Sequence, residues 1–303
     1  SRGLGDVYKR QLSISSKDYR AEIRLKGGGL NSLTNKRRNL VEPFKLNEPN
    51  RFRGDVLLPW PNRIRDGQYT YLGTKYSLPM NESGRSNALH GLVLEEDWII
   101  RSQSNNQIVL GCTLDKPQSY PSVLEITVTY TLTDKGLKWE IKTINCGKEV
   151  APYGHSIHPY LIAENDSKAD NWFLKLPANK YMEVDAVRLL PTEIKNVREN
   201  FQFSSGRRIN DTFIDHAFLI DGSMTNQVIE LTNSSGYGVG MRYSSDLKWI
   251  QIHTADRDNP LESRKCLAVE PMTCPPDAFN SGIDIVHLKP GEEISSFWEI
   301  FAI

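Results

Sequence analysis

The chain has 303 residues, and its 37 Lys and Arg balance its 37 Asp and Glu to a formal net charge of zero. No long block of like charge interrupts the sequence, which argues against nucleic acid or an anionic membrane surface as a partner. The apolar runs fall well short of the roughly 18 residues that a membrane-spanning helix needs, and the N-terminus lacks an apolar signal-peptide core, so a cytoplasmic location is the expectation.

Residues 1–11 lack the alternation that follows and are set apart as a leader outside the fold; residues 12–303 are expected to form one domain, since all-β sandwiches and barrels commonly reach about 200–250 residues as a unit. A hairpin is predicted over 69–78 around Gly73 and Thr74, and a strand over 108–114. From 124 to 132, Leu124, Ile126, Val128, Tyr130 and Leu132 alternate with Glu125, Thr127, Thr129 and Thr131, the period of two that marks a strand with one wet face. Across the turn at 133–136 the pattern resumes with Leu137, Trp139 and Ile141, which predicts a second hairpin. Shorter alternating runs at 172–176, 237–243 and 294–303 complete the series. Helical periodicity is not sustained over three turns anywhere. Many closely spaced strands without intervening helices predict an all-β fold, a large antiparallel β-sandwich. Four cysteines, Cys112, Cys146, Cys266 and Cys274, lie without a C-x-x-C pair and are expected as reduced thiols.

The residues able to do chemistry fall between these strands. Trp60 offers a flat apolar face to a sugar ring, and Arg63, two residues beyond Pro61, offers either a forked pair of donors to adjacent hydroxyls or a salt bridge. Asn62 stands between them. His90 precedes Gly91, whose missing side chain permits close approach of a ligand or another backbone segment. His158 is followed by Pro159, which fixes the local backbone and suits a presented general acid, although a structural histidine in a turn fits as well. His155 lies three residues earlier, so in extended backbone the two rings point to opposite faces and at most one enters a shared site. That geometry, with no Cys, His or Asp completing a ligand set, also argues against a metal there. Asp215 is an acceptor for hydroxyls or a strand-end cap. Glu270, between Val269 and Pro271, is a carboxylate whose apolar neighbours raise its pKa toward that of a base, or else a surface glutamate at a strand end. No phosphate-binding glycine loop, nucleophile elbow or cofactor motif is present, and the expected partner is a small-molecule sugar.

Taken in order, Asn62-Arg63-Ile64, Asn87-Ala88-Leu89-His90-Gly91, His158-Pro159-Tyr160, Asp215 and Glu270-Pro271 resemble the motif series of the aldose 1-epimerase (galactose mutarotase) family, from about residue 53 to the C-terminus. The resemblance implies an antiparallel β-sandwich with an open cleft, no cofactor, no metal, and interconversion of the anomers of a free aldohexose such as glucose or galactose. It casts His158 as general acid and Glu270 as general base, with His90, Asp215 and Arg63 holding hydroxyls or supporting ring opening. Two features depart from the common pattern: Leu92 follows Gly91 where many members carry a second Gly, and Trp60-Pro61 varies across the family. The alternatives are a glycosidase using Glu270 and Asp215, which leaves His158 idle; an epimerase of a modified or phosphorylated hexose, which needs Arg63, Arg65 and Arg85 to converge; and a non-catalytic sugar-binding module on the same fold.

Overall fold

Alternation in the sequence becomes two large antiparallel sheets laid face to face in a computed structural model that describes residues 11–44, 51–220 and 228–303. The larger sheet has nine strands. Its centre is the hairpin Leu124–Thr133 and Gly136–Asn145, flanked by Gln107–Leu114 on one side and by Glu293–Ala302 and Gly238–Tyr243 on the other. The register sets Tyr130 beside Trp139, Trp139 beside Trp298, and Trp298 beside Tyr243, so one face carries a row of buried rings. Aliphatic side chains on the same face fill the space between them, and the intervening Thr, Lys and Glu positions lie toward solvent, as a half-buried sheet demands.

The second sheet has six strands, in the order Tyr160–Leu161, Leu267–Met272, Trp249–His253, Asp215–Ile220, Ala178–Val184 and Pro191–Asn196. Its inner face supplies Leu267, Val269, Ile250, Ile252, Phe218 and Ile220 to the main core. The outer face is split. Met182, Ala217, Trp249 and Met272 form a small apolar cluster of their own, with Leu219 and Ile283 packed against it. Beyond it the same face turns polar, at Glu270, Gln251, His253 and Asp215. A four-stranded sheet from Gln11–Ser16 to Arg38–Asn39 joins the same core.

The all-β expectation holds, and the predicted strands at 108–114, 124–132, 172–176, 237–243 and 294–303 all appear, with ends shifted by a residue or two. The first hairpin turns at Leu72 and Gly73, one residue earlier than expected, because both adopt positive φ (47° and 82°) and Tyr71 pairs with Thr74. Residues 1–10 of the expected leader lie outside the described residues, and Gln11 already pairs with Arg24 in a strand. The four cysteines are free thiols. No helix among the described residues is long and apolar enough to cross a membrane.

Candidate active site

His158 is held on both sides by backbone pairing. The short strand Ser156–Ile157 before it pairs with Val56–Leu57, and Tyr160–Leu161 after it joins the strand Leu267–Met272. Its own N–H donates to the Asp55 carbonyl at 3.0 Å, and its carbonyl accepts from Gly54 at 2.9 Å. The ring is wedged between Tyr160, with centroids 4.8 Å apart, and Phe52, at 6.0 Å. Glu270 projects from the interior of the Leu267–Met272 strand, so its backbone is fixed by the sheet. The two side chains meet with His158 Nε2 at 3.3 Å from Glu270 Oε1, both almost completely buried.

A second wall comes from two short strands, Arg63–Arg65 and Asn87–Leu89, which pair antiparallel. Where they end, Asn62 and His90 both take positive φ (58° and 65°) and bond each other: the His90 N–H donates to the Asn62 carbonyl at 2.9 Å, and the Asn62 N–H donates to His90 Nδ1 at 3.2 Å. An imidazole that accepts at Nδ1 carries its proton on Nε2, so His90 is a neutral hydrogen-bond donor. Arg63 spends its guanidinium fork on Glu82, through Nε at 2.9 Å and Nη2 at 2.9 Å. Nη2 also lies 3.7 Å from Asp215. Glu82 in turn accepts from Arg85 and Asn87, which locks the wall together.

The floor is the outer face of the six-stranded sheet. Gln251 stands opposite Glu270, and His253, two residues on, stands opposite Asp215. Gln251 Nε2 donates to Asp215 Oδ1 at 2.6 Å, a diagonal bond across neighbouring strands. These groups, with Phe52, Tyr160, Phe213 and Leu189, line an open pocket of about 470 Å³, within the usual range for small-molecule sites. Among the described residues, five buried polar atoms on its lining side chains lack a hydrogen-bond partner: Arg85 Nε, His158 Nδ1, Gln251 Oε1, His253 Nδ1 and Glu270 Oε2. Because such atoms are costly to leave unpaired, their concentration in one hollow marks it as built for a polar ligand.

Burial dominates the electrostatics. It pushes the Glu270 carboxyl well above the usual carboxylate range, reinforced by the charge of Asp215 and opposed by Arg63. It pushes His158 down to about 3, with His253 acting in the same direction, and it holds His90 well below the ordinary imidazole value. Burial works to raise Asp215 too, but His253, Arg63 and His216 outweigh it and leave a carboxylate. The resting pair is therefore a protonated Glu270 beside a neutral His158, with one proton between them.

Of the sequence-based candidates, His158, Glu270, His90, Asn62, Arg63 and Asp215 all line this pocket. Trp60 does not. It is 2% exposed and packs edge-on against Phe279 at 5.7 Å, so the flat face expected for a sugar is spent in the core; Phe52, Tyr160 and Phe213 are the aromatic rings of the pocket. Arg63 takes the salt-bridge option rather than offering a free fork. His155, as the opposite-face argument requires, stays out of the pocket and bonds Tyr153 and Ser296 in the core. The three arginines of the phosphate alternative do not converge: Arg63 and Arg85 share Glu82, while Arg65 is tied to Asp277 in a separate depression. His90, His158 and Glu270 bring possible metal-ligand atoms within 4.8 Å of one another. The proton on His90 Nε2 counts against that trio as a ligand set, since a metal needs that lone pair free. Sequence reasoning passed over Gln251 and His253, although Trp249, Gln251 and His253 alternating with Ile250 and Ile252 is the same period-two signal used elsewhere.

A family model described as aldose 1-epimerase matches residues 10–300. The uncharacterized protein YihR of Escherichia coli (strain K12) is 38% identical over 294 residues, covering 96% of this chain and 92% of that protein. The galactose mutarotase of Sus scrofa is 26% identical over 269 residues, covering 80% and 76%. Among solved structures, the GalM/aldose epimerase homologue from C. elegans superposes with a TM-score of 0.86 at 19% identity, covering 97% of this chain and 98% of that one. A putative aldose 1-epimerase from E. coli K12 gives 0.83 at 20%, covering 97% and 99%. At these identities the structural matches speak to the fold, which is that of the galactose mutarotases.

Proposed function

Because the chain belongs to the aldose 1-epimerase family, and is thus an isomerase of the mutarotase type, we propose that its pocket interconverts the α and β anomers of a free aldohexose such as glucose or galactose, with His158 and Glu270 as the proton-transfer pair. The observation that carries this reading is the 3.3 Å contact between an imidazole and a carboxyl group, both almost completely buried. Anomerisation removes a proton from the C1 hydroxyl and delivers one to the ring oxygen; both oxygens are bonded to C1, so two groups in contact reach both from one side. Glu270 accepts the hydroxyl proton as His158 protonates the ring oxygen, the ring opens to the aldehyde, rotation about C1–C2 exposes the other carbonyl face, and reclosure reverses the transfers. The reaction draws on the carboxylate and imidazolium form of the pair. Burial makes the neutral form the resting one, and a single proton shift across the contact converts them.

Around this pair His90 donates through Nε2–H to a sugar oxygen, where it favours the charge that develops on ring opening. Asp215, held as a carboxylate against burial by His253, Arg63 and His216, accepts from sugar hydroxyls. Arg63 acts through its field and its grip on Glu82. A glycosidase reading leaves His158 without a task, and a silent binding module has no need for a matched acid and base. Glu270→Gln and His158→Asn are each expected to lower the enzyme-dependent anomer exchange about 10²- to 10⁴-fold, the usual range for one acid–base group. Polarimetry on freshly dissolved α-glucose and α-galactose, with circular dichroism to verify folding, reads the effect; near-wild-type acceleration in either variant would remove the assigned roles.

A further inference from the structure

Five of the six histidines are claimed by the protein itself. His90 accepts from Asn62, His155 bonds Tyr153 and Ser296, His158 meets Glu270, His216 accepts from the Asp215 N–H, and His287 bonds Tyr71. His253 is the exception. It lines the pocket, half-buried, and among the described residues its buried Nδ1 has no hydrogen-bond partner. Its backbone is nonetheless fixed in the middle of a sheet, paired to Asp215 on one side and Ala268 on the other, so the ring is presented rather than loose. Neither flanking strand fills the space around it with bulk, since Ala268 and Ala217 are the nearest neighbours on that face besides the polar groups.

Resting on the mutarotase reading above, we propose that His253 is a specificity-determining residue that hydrogen-bonds the oxygen substituent carried on C6 of the bound aldohexose. The placement follows from the order of atoms round the ring. His158 is assigned to the ring oxygen, and the next atom beyond that oxygen is C5, which bears C6. Tyr160 lies against His158 at 4.8 Å, and His253 lies edge-on to Tyr160 at 6.5 Å, in the cross-strand row of Tyr160, Ala268, His253 and Asp215 that runs beside Glu270 and Gln251. His253 is also one strand over and two residues along from Glu270, a diagonal separation of about 7–8 Å between backbones that a pyranose ring spans. An imidazole at that point meets the exocyclic C6 oxygen, and Asp215, directly opposite it on the next strand, takes a neighbouring hydroxyl.

The test compares glucose with 6-deoxyglucose, in wild type, His253→Ala and His253→Gln, measuring kcat and KM for anomer exchange by magnetisation-transfer NMR. Loss of one hydrogen bond is expected to raise KM for glucose roughly 3- to 10-fold in His253→Ala, with a smaller fall in kcat. Wild type should already show a raised KM for 6-deoxyglucose, and His253→Ala should raise it no further. His253→Gln, which keeps a donor and an acceptor, should recover part of the loss. An equal rise for both sugars, or no rise for either, overturns the proposal while leaving the acid–base reading intact. Absence of exchange in wild type with every aldohexose tried would instead sink the mutarotase reading, and this inference with it.

Discussion

The contact between His158 and Glu270 turns a question about two pKa values into a count of protons. The pair binds two protons only below about 3, where His158 becomes charged, and loses its last proton only above the raised range of Glu270. Between those limits it holds one, and anomerisation needs one proton to give and one site to receive. The rate per folded enzyme is therefore expected to stay level as pH falls from 7 to 5, and to decline on the alkaline side as Glu270 gives up its proton. An imidazole titrating at its ordinary value of 6.5 would take up a second proton and halve the rate near that pH. Exchange measured by NMR across pH 5–9, corrected for the buffer's own catalysis, separates the two; an acid limb centred near 6.5 would contradict the shared-proton account. The same counting explains why His90 needs no charge. Its proton sits on Nε2 because Asn62 occupies Nδ1, and that is settled by a backbone hydrogen bond rather than by pH.

At the scale of elements, the wall that carries His90 depends on how closely two backbone segments approach. Gly91 has a φ of 84°, and a Cβ built there would stand 2.0 Å from the Leu58 carbonyl oxygen. The Gly91→Ala substitution thus combines left-handed strain with a backbone clash next to the site, whereas Gly73→Ala, at a φ of 82° in an open turn with nothing within 4 Å, brings strain alone. Strain of this kind costs about 1–3 kcal/mol, so Gly73→Ala should fall within that range with activity retained, and Gly91→Ala should exceed it and lose exchange activity as His90 is displaced. Urea denaturation and anomer exchange on the two variants give the comparison; equal losses of stability with activity retained in both would show that the wall tolerates displacement. This dependence on close approach also marks the limit of what could be read in the chain beforehand. The alternation from Leu124 to Leu132 announces its strand because one face is dry and the other wet. Leu267–Met272, buried on every residue, has no alternation to show, and it carries Glu270. His158 and Glu270 were visible through their flanking prolines and the motif order, but the burial of Trp60 was not, since an aromatic ring reads the same in sequence whether it faces a ligand or Phe279. Gln251 and His253 lay in a legible pattern whose polar members simply face outward onto the pocket.

Across the whole molecule, a chain of hydrogen bonds ties two strands of the nine-stranded sheet to the segment that leads into His158. Thr143, on the nine-stranded sheet, bonds the Tyr153 hydroxyl at 2.7 Å; Tyr153 bonds His155 Nδ1 at 2.9 Å; His155 Nε2 bonds Ser296 at 2.6 Å; and Ser296 donates to Asp246. Trp298 adds a bond from Nε1 to the Pro271 carbonyl, on the residue next to Glu270. His155 is fully buried among these groups, and burial lowers it to about 4 against a pull upward from Asp246. In the unfolded chain the same imidazole takes up its proton near 6.5, so between 6.5 and about 4 the unfolded state binds more protons than the folded one and stability falls with falling pH. The slope is about 1.4 kcal/mol per pH unit for this one residue. His158 contributes with the same sign, which makes a comparison of variants cleaner than a single profile. His155→Gln removes the titrating group while keeping donors and acceptors in place, and it is expected to be less stable than wild type at pH 7 because the two bonds are imperfectly replaced. Between pH 7 and pH 5, however, it should lose about 2 kcal/mol less than wild type does. Urea melts at both pH values measure the difference, and identical losses would show that the imidazole is not held neutral by the core. The consequence is that the imidazole proposed to move protons, His158, and the one buried away from them, His155, lie three residues apart on opposite faces of one segment.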